Sequence, residues 1–264
     1  MILRETPASF VLINQHDHAL VAGGMAAHWR PEYFQGPEYR AEVLLAIREH
    51  DCGWIRLDDH IAWDAATQSP YSFIDYPLAP KLAHYALGIA EVAESSAYAA
   101  LLCSLHYTTF PDLEATEAGR EFRKEEQVRQ QKIIAALGLN DAQHQEHLAF
   151  HLQLLKCCDG LSIYLCINKP GVTKAQEHPW YRAGIPYSDF SFSQGENLQA
   201  CWRNAQTIQV RPFPFTQAFE VSIPYRQVLK QQIQEMGPQQ AVLEAAYQEY
   251  QVELVPGRTA KAGI

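Results

Sequence analysis

Residues 154–166 read LLKCCDGLSIYLC. Asp159 stands in the middle of this stretch, among Leu155, Cys158, Leu161 and Ile163. The pattern predicts a core helix that starts at Asn140 and Asp141 and continues to about Cys166. Asn168-Lys169-Pro170-Gly171 then breaks it. An ionised carboxylate inside a packed helix is costly unless it is paired or bound to a metal. Asp159 therefore predicts partners elsewhere in the chain.

Metal-capable side chains recur on the helical segments upstream. Residues 15–18 read QHDH, in a helix expected from Asp17, read as its N-cap, to about Trp29, with Pro31 stopping it. His50-Asp51 ends a second helix that begins at Pro37, with Val43, Ile47 and His50 near one face and Gly53 as its stop. His106 lies in LLCSLHYTTF, within a segment at 96–109 that is apolar nearly all round and so expected to be central. Imidazoles and carboxylates converging from different helices are one way a helical bundle builds a divalent-cation site. Mixed N and O donors suit Zn, Fe, Mn or Co better than Ca, as one ion or two. Glu49, just before the doublet, is the kind of hydrogen-bond acceptor that metal-bound imidazoles need.

Further out, residues 9–14 read as a strand, 55–80 as a long structured loop, and 80–94 and 112–137 as helices. The helix at 112–137 carries RKEEQVRQ, whose Lys124 and Arg129 are candidates to meet a phosphate. Composition changes after residue 170, and 178–224 is rich in Pro, Trp, Tyr and Phe. TIQVRPFPF (207–215), FEVSIPY (219–225) and QVELV (251–255) read as strands. VLKQQIQEM (228–236) and QQAVLEAAYQEY (239–250) read as short helices. The fold class expected is mainly α: a helical metal-binding core at 1–170, with an α+β appendage at 171–264 packed on it as one continuous domain. Its β content is expected to be a small antiparallel sheet from the C-terminal part and the N-terminal strand.

Composition bounds the partners. The chain has 264 residues, 47% hydrophobic and 19% charged, an ordinary globular mix. With 21 Lys+Arg against 30 Asp+Glu the net charge is −9, which disfavours a nucleic-acid polymer or an anionic membrane surface as main partner. MILRETPASF lacks the charged and apolar regions of a secretory signal, so a cytoplasmic protein is expected. The six cysteines form no CxxC pair and read as reduced, buried thiols.

The ordered series His … His-Asp … Asp resembles the HD-domain superfamily of metal-dependent phosphohydrolases over about residues 15–165. That resemblance implies an HD-domain-like helical bundle with His18, His50, Asp51 and Asp159 as metal ligands. His18 is preferred as first ligand because Ala19-Leu20-Val21-Ala22 resembles the apolar turn found there, with His16 as runner-up. A two-metal form would recruit His106 and His151, with His84, His144 and His147 as competitors. Many HD enzymes carry a Lys soon after the doublet, where this chain has Trp54. At closer range QHDH, EHDCGW, LLCSLHY and CDGLSIYLC resemble a bacterial domain-of-unknown-function family, 3891, which implies no substrate.

The expected activity is metal-dependent hydrolysis of a small phosphorylated molecule, such as a nucleotide. Asp51 is expected at the reacting centre and His106 as a further ligand or as the acid that protonates the leaving group. Asp58, Asp59 and Asp75 are expected to border the pocket, with Trp54, Tyr71, Phe73 and Tyr107 as an apolar wall. Two alternatives stay open: a di-iron oxygenase, and a non-catalytic ligand-binding or scaffold protein. The latter would associate into a homo-oligomer through the aromatic segment 178–224.

Overall fold

The computed structural model describes residues 1–257. Eight strands occur among them: β1 (Ile2–Glu5), β2 (Ser9–Ile13), β3 (Trp63–Asp64), β4 (Ser69–Pro70), β5 (Gln199–Asn204), β6 (Thr207–Arg211), β7 (Phe219–Leu229) and β8 (Tyr247–Pro256). Six form one sheet in the order β1-β2-β7-β8-β6-β5, while β3 and β4 make a separate hairpin. All its pairings are antiparallel except β6 with β8, so the sheet is mixed.

Nine helices accompany the strands: α1 (Gln15–Ala27), α2 (Arg40–Glu49), α3 (Ile55–Asp58), α4 (Leu78–Ser95), α5 (Ala97–Thr108), α6 (Glu117–Leu137), α7 (Ala142–Ile167), α8 (Lys230–Met236) and α9 (Pro238–Glu244). Side-chain caps start α5, α6 and α7, where the sequence places hydroxyls and a carboxylate. Ser96 accepts from the Ala99 amide, Thr116 from Gly119 and Asp141 from His144. Helix α7 packs on α1, α2, α5 and β1, and is the spine of the molecule. It has the length and composition of a membrane-crossing segment, with mean hydropathy 1.2, and 61% of that stretch is buried inside the protein.

The sheet needs cover on both faces because its strands alternate. In β7, Phe219, Val221 and Ile223 face the main core, while Val228, of opposite parity, joins Phe10 and Leu12 of β2 on the other side. Helices α8 and α9 close that second face through Ile233, Ala241 and Val242. The main core runs from Ile2 to Leu254 and crosses residue 170 without interruption.

This architecture overturns the expected mainly α, HD-domain-like bundle with a small antiparallel sheet. The sheet is six-stranded and mixed, and both ends of the chain build it. Two of its strands, β1 (ILRE) and β5 (QACWRN), are short and half polar, which hides their period. Another, β8, begins inside a run of helix formers that reads as helix through Tyr250. Pairing with β7 over Phe219–Arg226 overrides that propensity. Asn14, rather than Asp17, is the N-cap of α1, and Asp17 lies in its first turn. Within the expected loop at 55–80 lie α3, the β3–β4 hairpin and the start of α4.

Candidate metal centre

Four helices bring the cluster together. α1 packs on α2 and α7, α2 on α5, and α5 on α7, so their inner faces enclose one buried space. His18 comes from α1, His50 from the C-cap of α2, Asp51 from the next residue, His106 from α5 and Asp159 from α7. Ligand-capable atoms of His18, His50 and Asp51 lie within 4.8 Å of one another, and so do those of His50, His106 and Asp159. The three imidazoles form a row, with ring centroids 5.3 Å apart at each step.

Hydrogen bonds behind the cluster orient its donors. His50 Nδ1–H donates to the Ile47 carbonyl at 2.7 Å, which turns Nε2 inward. That buried Nε2 has no hydrogen-bond partner and lies 3.4 Å from Asp159 Oδ1 and 3.8 Å from Asp51 Oδ2. His18 Nδ1 is 2.9 Å from Ser162 Oγ, and Ser162 gives its own proton to the Asp159 carbonyl at 2.8 Å. Nδ1 is thus the donor toward Ser162, and Nε2 faces Asp51 Oδ2 at 2.9 Å. Asp51 is held from its other sides by the Tyr107 hydroxyl on Oδ1 (3.0 Å) and by Gln15 Nε2 on Oδ2 (3.2 Å).

Electrostatics follow from burial and from this company. Burial works to raise the Asp51 carboxyl, yet His50, the His18 hydrogen bond and His106 outweigh it and hold it far below the usual range. Asp159 is likewise lowered against burial, mainly by His50. Burial opposes a charge on His50, but Asp51 and Asp159 push it up to about 9. His106 goes the other way, down to about 4, because burial and then His50 outweigh the attraction of Asp159 and Asp51. His106 therefore faces its surroundings as a neutral imidazole, a form suited to a ligand or acceptor rather than to the expected acid.

A divalent transition ion fits these residues. Two imidazoles have their outer nitrogens tied to protein partners, which turns Nε2 of His18 onto Asp51 and leaves Nε2 of His50 without a hydrogen bond, the kind of orientation that metal-binding histidines need. The buried His50 Nε2 has no hydrogen bond and faces two carboxylates whose charge holds a proton on the ring; a divalent cation would take that proton's place among the same groups.

A cavity of about 570 Å³ opens beside the cluster and is bordered by Asp51, His106 and Asp159. Two lysines line it. Lys81 is buried, 3.3 Å from the Phe73 carbonyl and 3.7 Å from Asp112, and Lys156 is half-buried with its ammonium 4.4 Å from the centre of the Tyr187 ring. Burial lowers the pKa of both. Trp54 and Phe73 also line the cavity, as the apolar-wall expectation placed them.

Other expected site residues lie elsewhere. His16 pairs with Glu49 at 3.7 Å, outside the ligand groups. Both ring nitrogens of His151 are occupied, by the Tyr98 hydroxyl and the Gln35 carbonyl, each at 2.7 Å. Its place as a second-ion ligand is thereby filled by protein. Arg129 bonds the buried Glu126 at 3.1 Å, within a polar knot that includes Ser104 and Gln130, and does not line the cavity. Lys124 sits on the outer face of α6. Asp58 binds the Met1 amine at 2.8 Å and the Gln15 amide at 2.6 Å, and Asp75 caps Ser72. His84 binds the Pro80 carbonyl and His144 binds Asp141. Tyr107 is a hydrogen-bond donor to the cluster and is absent from the cavity wall. Nothing local in the sequence marks Lys81 and Lys156 as cavity residues: each sits in an apolar helix, where a lone Lys reads as a surface residue.

Fold and cluster together define a protein of helices on a mixed sheet, with a buried His/Asp centre beside a cavity. A family description, protein of unknown function (DUF3891), matches residues 1–230, and the chain belongs to that family. No curated protein and no solved structure matches it.

Proposed function

We propose that the protein is a metal-dependent hydrolase of a small phosphorylated molecule. The observation that carries this reading is the convergence of His18, His50, Asp51, His106 and Asp159 from separate helices around the partnerless His50 Nε2. His18, His50, Asp51 and Asp159 would hold the ion, with His106 as a further ligand at the cavity side. A divalent cation there would supply Lewis acidity and a water whose pKa falls toward ~7.

The chain's own groups do the rest. Tyr107 and Gln15 fix both oxygens of Asp51, and Ser162 and the Ile47 carbonyl fix the outer nitrogens of His18 and His50. Lys156 and Lys81 add positive charge to the cavity, where a phosphoryl group next to Asp159 would need it. The surrounding aromatic and aliphatic wall keeps the local dielectric low, which strengthens those charges.

The test is elemental analysis of freshly purified protein beside His50→Ala and Asp159→Ala, together with hydrolysis of a generic phosphoester. About one or two equivalents of Zn, Fe, Mn or Co are expected in the parent chain, with metal and hydrolysis lost together in both variants. Hydrolysis that survives in both variants would end this reading. Iron together with oxygen uptake and no hydrolysis would replace it with oxygenase chemistry.

A further inference from the structure

The cavity mouth carries a feature that neither folding nor the metal cluster requires. Three large apolar side chains that line the cavity are about half exposed: Ile74 (51%), Trp180 (48%) and Tyr187 (55%). Elsewhere in the aromatic segment Tyr181, Phe190, Phe215 and Phe219 are buried, so it forms core rather than an exposed oligomer face. Trp180 and Tyr187 are its exceptions, and both stand at this one opening.

Tyr187 is held there against its backbone preference. Its φ is +58°, in the left-handed region that a bulky residue rarely adopts. The flanking residues are pinned. Ile185 N–H donates to the Leu198 carbonyl at 2.8 Å, Ser188 Oγ–H to the Ile185 carbonyl at 2.5 Å, and Leu198 N–H to Ser188 Oγ at 2.7 Å. Ile185 and Ser188 are both fully buried, so the loop is anchored on either side of a strained, outward-facing ring. Strain of this kind persists at sites where a side chain must be aimed. The ring sits beside the Lys156 ammonium, 4.4 Å from its centroid, three residues before Asp159 on α7. Among the described residues, Lys156 has no carboxylate within ion-pair distance.

We infer that the mouth is a recognition site for a planar aromatic ring, with Trp180 and Tyr187 as its stacking surfaces and Lys156 as the cation for the phosphoryl group attached to that ring. This rests on the phosphohydrolase reading and narrows its substrate class to aryl or heteroaryl phosphoesters. Lys156 exchanges the Tyr187 π-face for the phosphoryl oxygens, while the ring fills the apolar space the mouth offers. Trp180 and Tyr187 are specificity-determining residues in this arrangement, and the cluster does the chemistry whatever ring is present.

The test is binding of phenylphosphonate and methylphosphonate, whose C–P bonds resist hydrolysis, to the full chain as purified. It is followed by calorimetry and tryptophan fluorescence, with metal content measured on the same samples. Phenylphosphonate is expected to bind at least about tenfold more tightly than methylphosphonate, with quenching lost in Trp180→Phe. Trp180→Ala and Tyr187→Gly should abolish that preference at unchanged metal content, and Lys156→Gln should weaken both ligands about tenfold. Tyr187→Gly should not lower the melting temperature, because Gly accepts the backbone angle freely. Equal affinity for the two phosphonates, or a preference untouched in Trp180→Ala and Tyr187→Gly, would overturn the inference and leave the metal-dependent activity standing. A Trp180-dependent phenyl preference in a chain without metal would support the mouth and sink the hydrolase.

Discussion

The Tyr107 hydroxyl reaches Asp51 from a position 1% exposed, and it also lies against the His50 carbonyl. Burial and the Asp51 charge push its pKa well up, so the hydroxyl keeps the proton it donates. Tyr107→Phe keeps the ring and its stack on Tyr85 and removes this one proton. A loss of about 1–3 kcal/mol in urea unfolding is expected, because a buried carboxylate oxygen loses its partner. Metal affinity should fall about 10–100-fold, read by chelator competition. His151 illustrates the opposite use of an imidazole. Burial lowers its pKa to about 4, and both nitrogens are satisfied with the ring neutral. Because the folded value lies below the ordinary 6.5, its contribution is whole above that pH. It is lost as pH falls from 6.5 toward 4, by at most about 3 kcal/mol. His151→Gln can keep both hydrogen bonds without titrating. The stability gap between parent and variant should therefore close on going from pH 7.5 to pH 4.5 in parallel melts; a constant gap would refute the assignment. His106 titrates in the same range, which is why the difference rather than the parent's own acid loss is the readout.

At the scale of elements, the centre depends on how closely helices approach just behind Asp51. A Cβ on Gly53 would fall 2.3 Å from the His84 carbonyl oxygen, and one on Gly88 would fall 2.7 Å from the Gly53 nitrogen. The two glycines let α4 press directly on the turn that carries Asp51. Gly88→Ala can be accommodated only by moving backbone, so it should cost about 1–3 kcal/mol. It should also lower metal content, since the displaced turn is the one that presents a ligand. A variant with normal stability and full metal would show that α4 has no part in placing Asp51. A break near Gly53 was legible in the sequence, although α2 ends earlier, at Glu49, and Gly53 lies in the short 3-10 turn that follows. That it is a contact point between helices was not, because its partner stands 35 residues further on.

For the whole molecule, the sheet separates two cores with different duties. Phe10 packs edge-to-face on Trp63 and belongs to the cluster under α8 and α9, on the side of the sheet away from the main core. Phe10→Ala should cost about 3–5 kcal/mol of stability, measured by thermal melting. The folded fraction should keep its metal stoichiometry, because no ligand belongs to that cluster. Loss of metal at temperatures where the variant is still folded would mean the cores are coupled. The sequence by itself determined the candidate cluster: an Asp in an apolar helix, a His-Asp doublet at a helix end and a His in an apolar segment each carry a local conflict between charge and burial that only partners resolve. It also determined the central helices, whose caps and apolar periods are properties of consecutive residues. Only the tertiary structure decided the six-stranded mixed sheet, the filled hydrogen bonds of His151, and the lysines at the cavity. Each of these depends on pairing between segments far apart in the chain, and that energy is stored in neither segment alone.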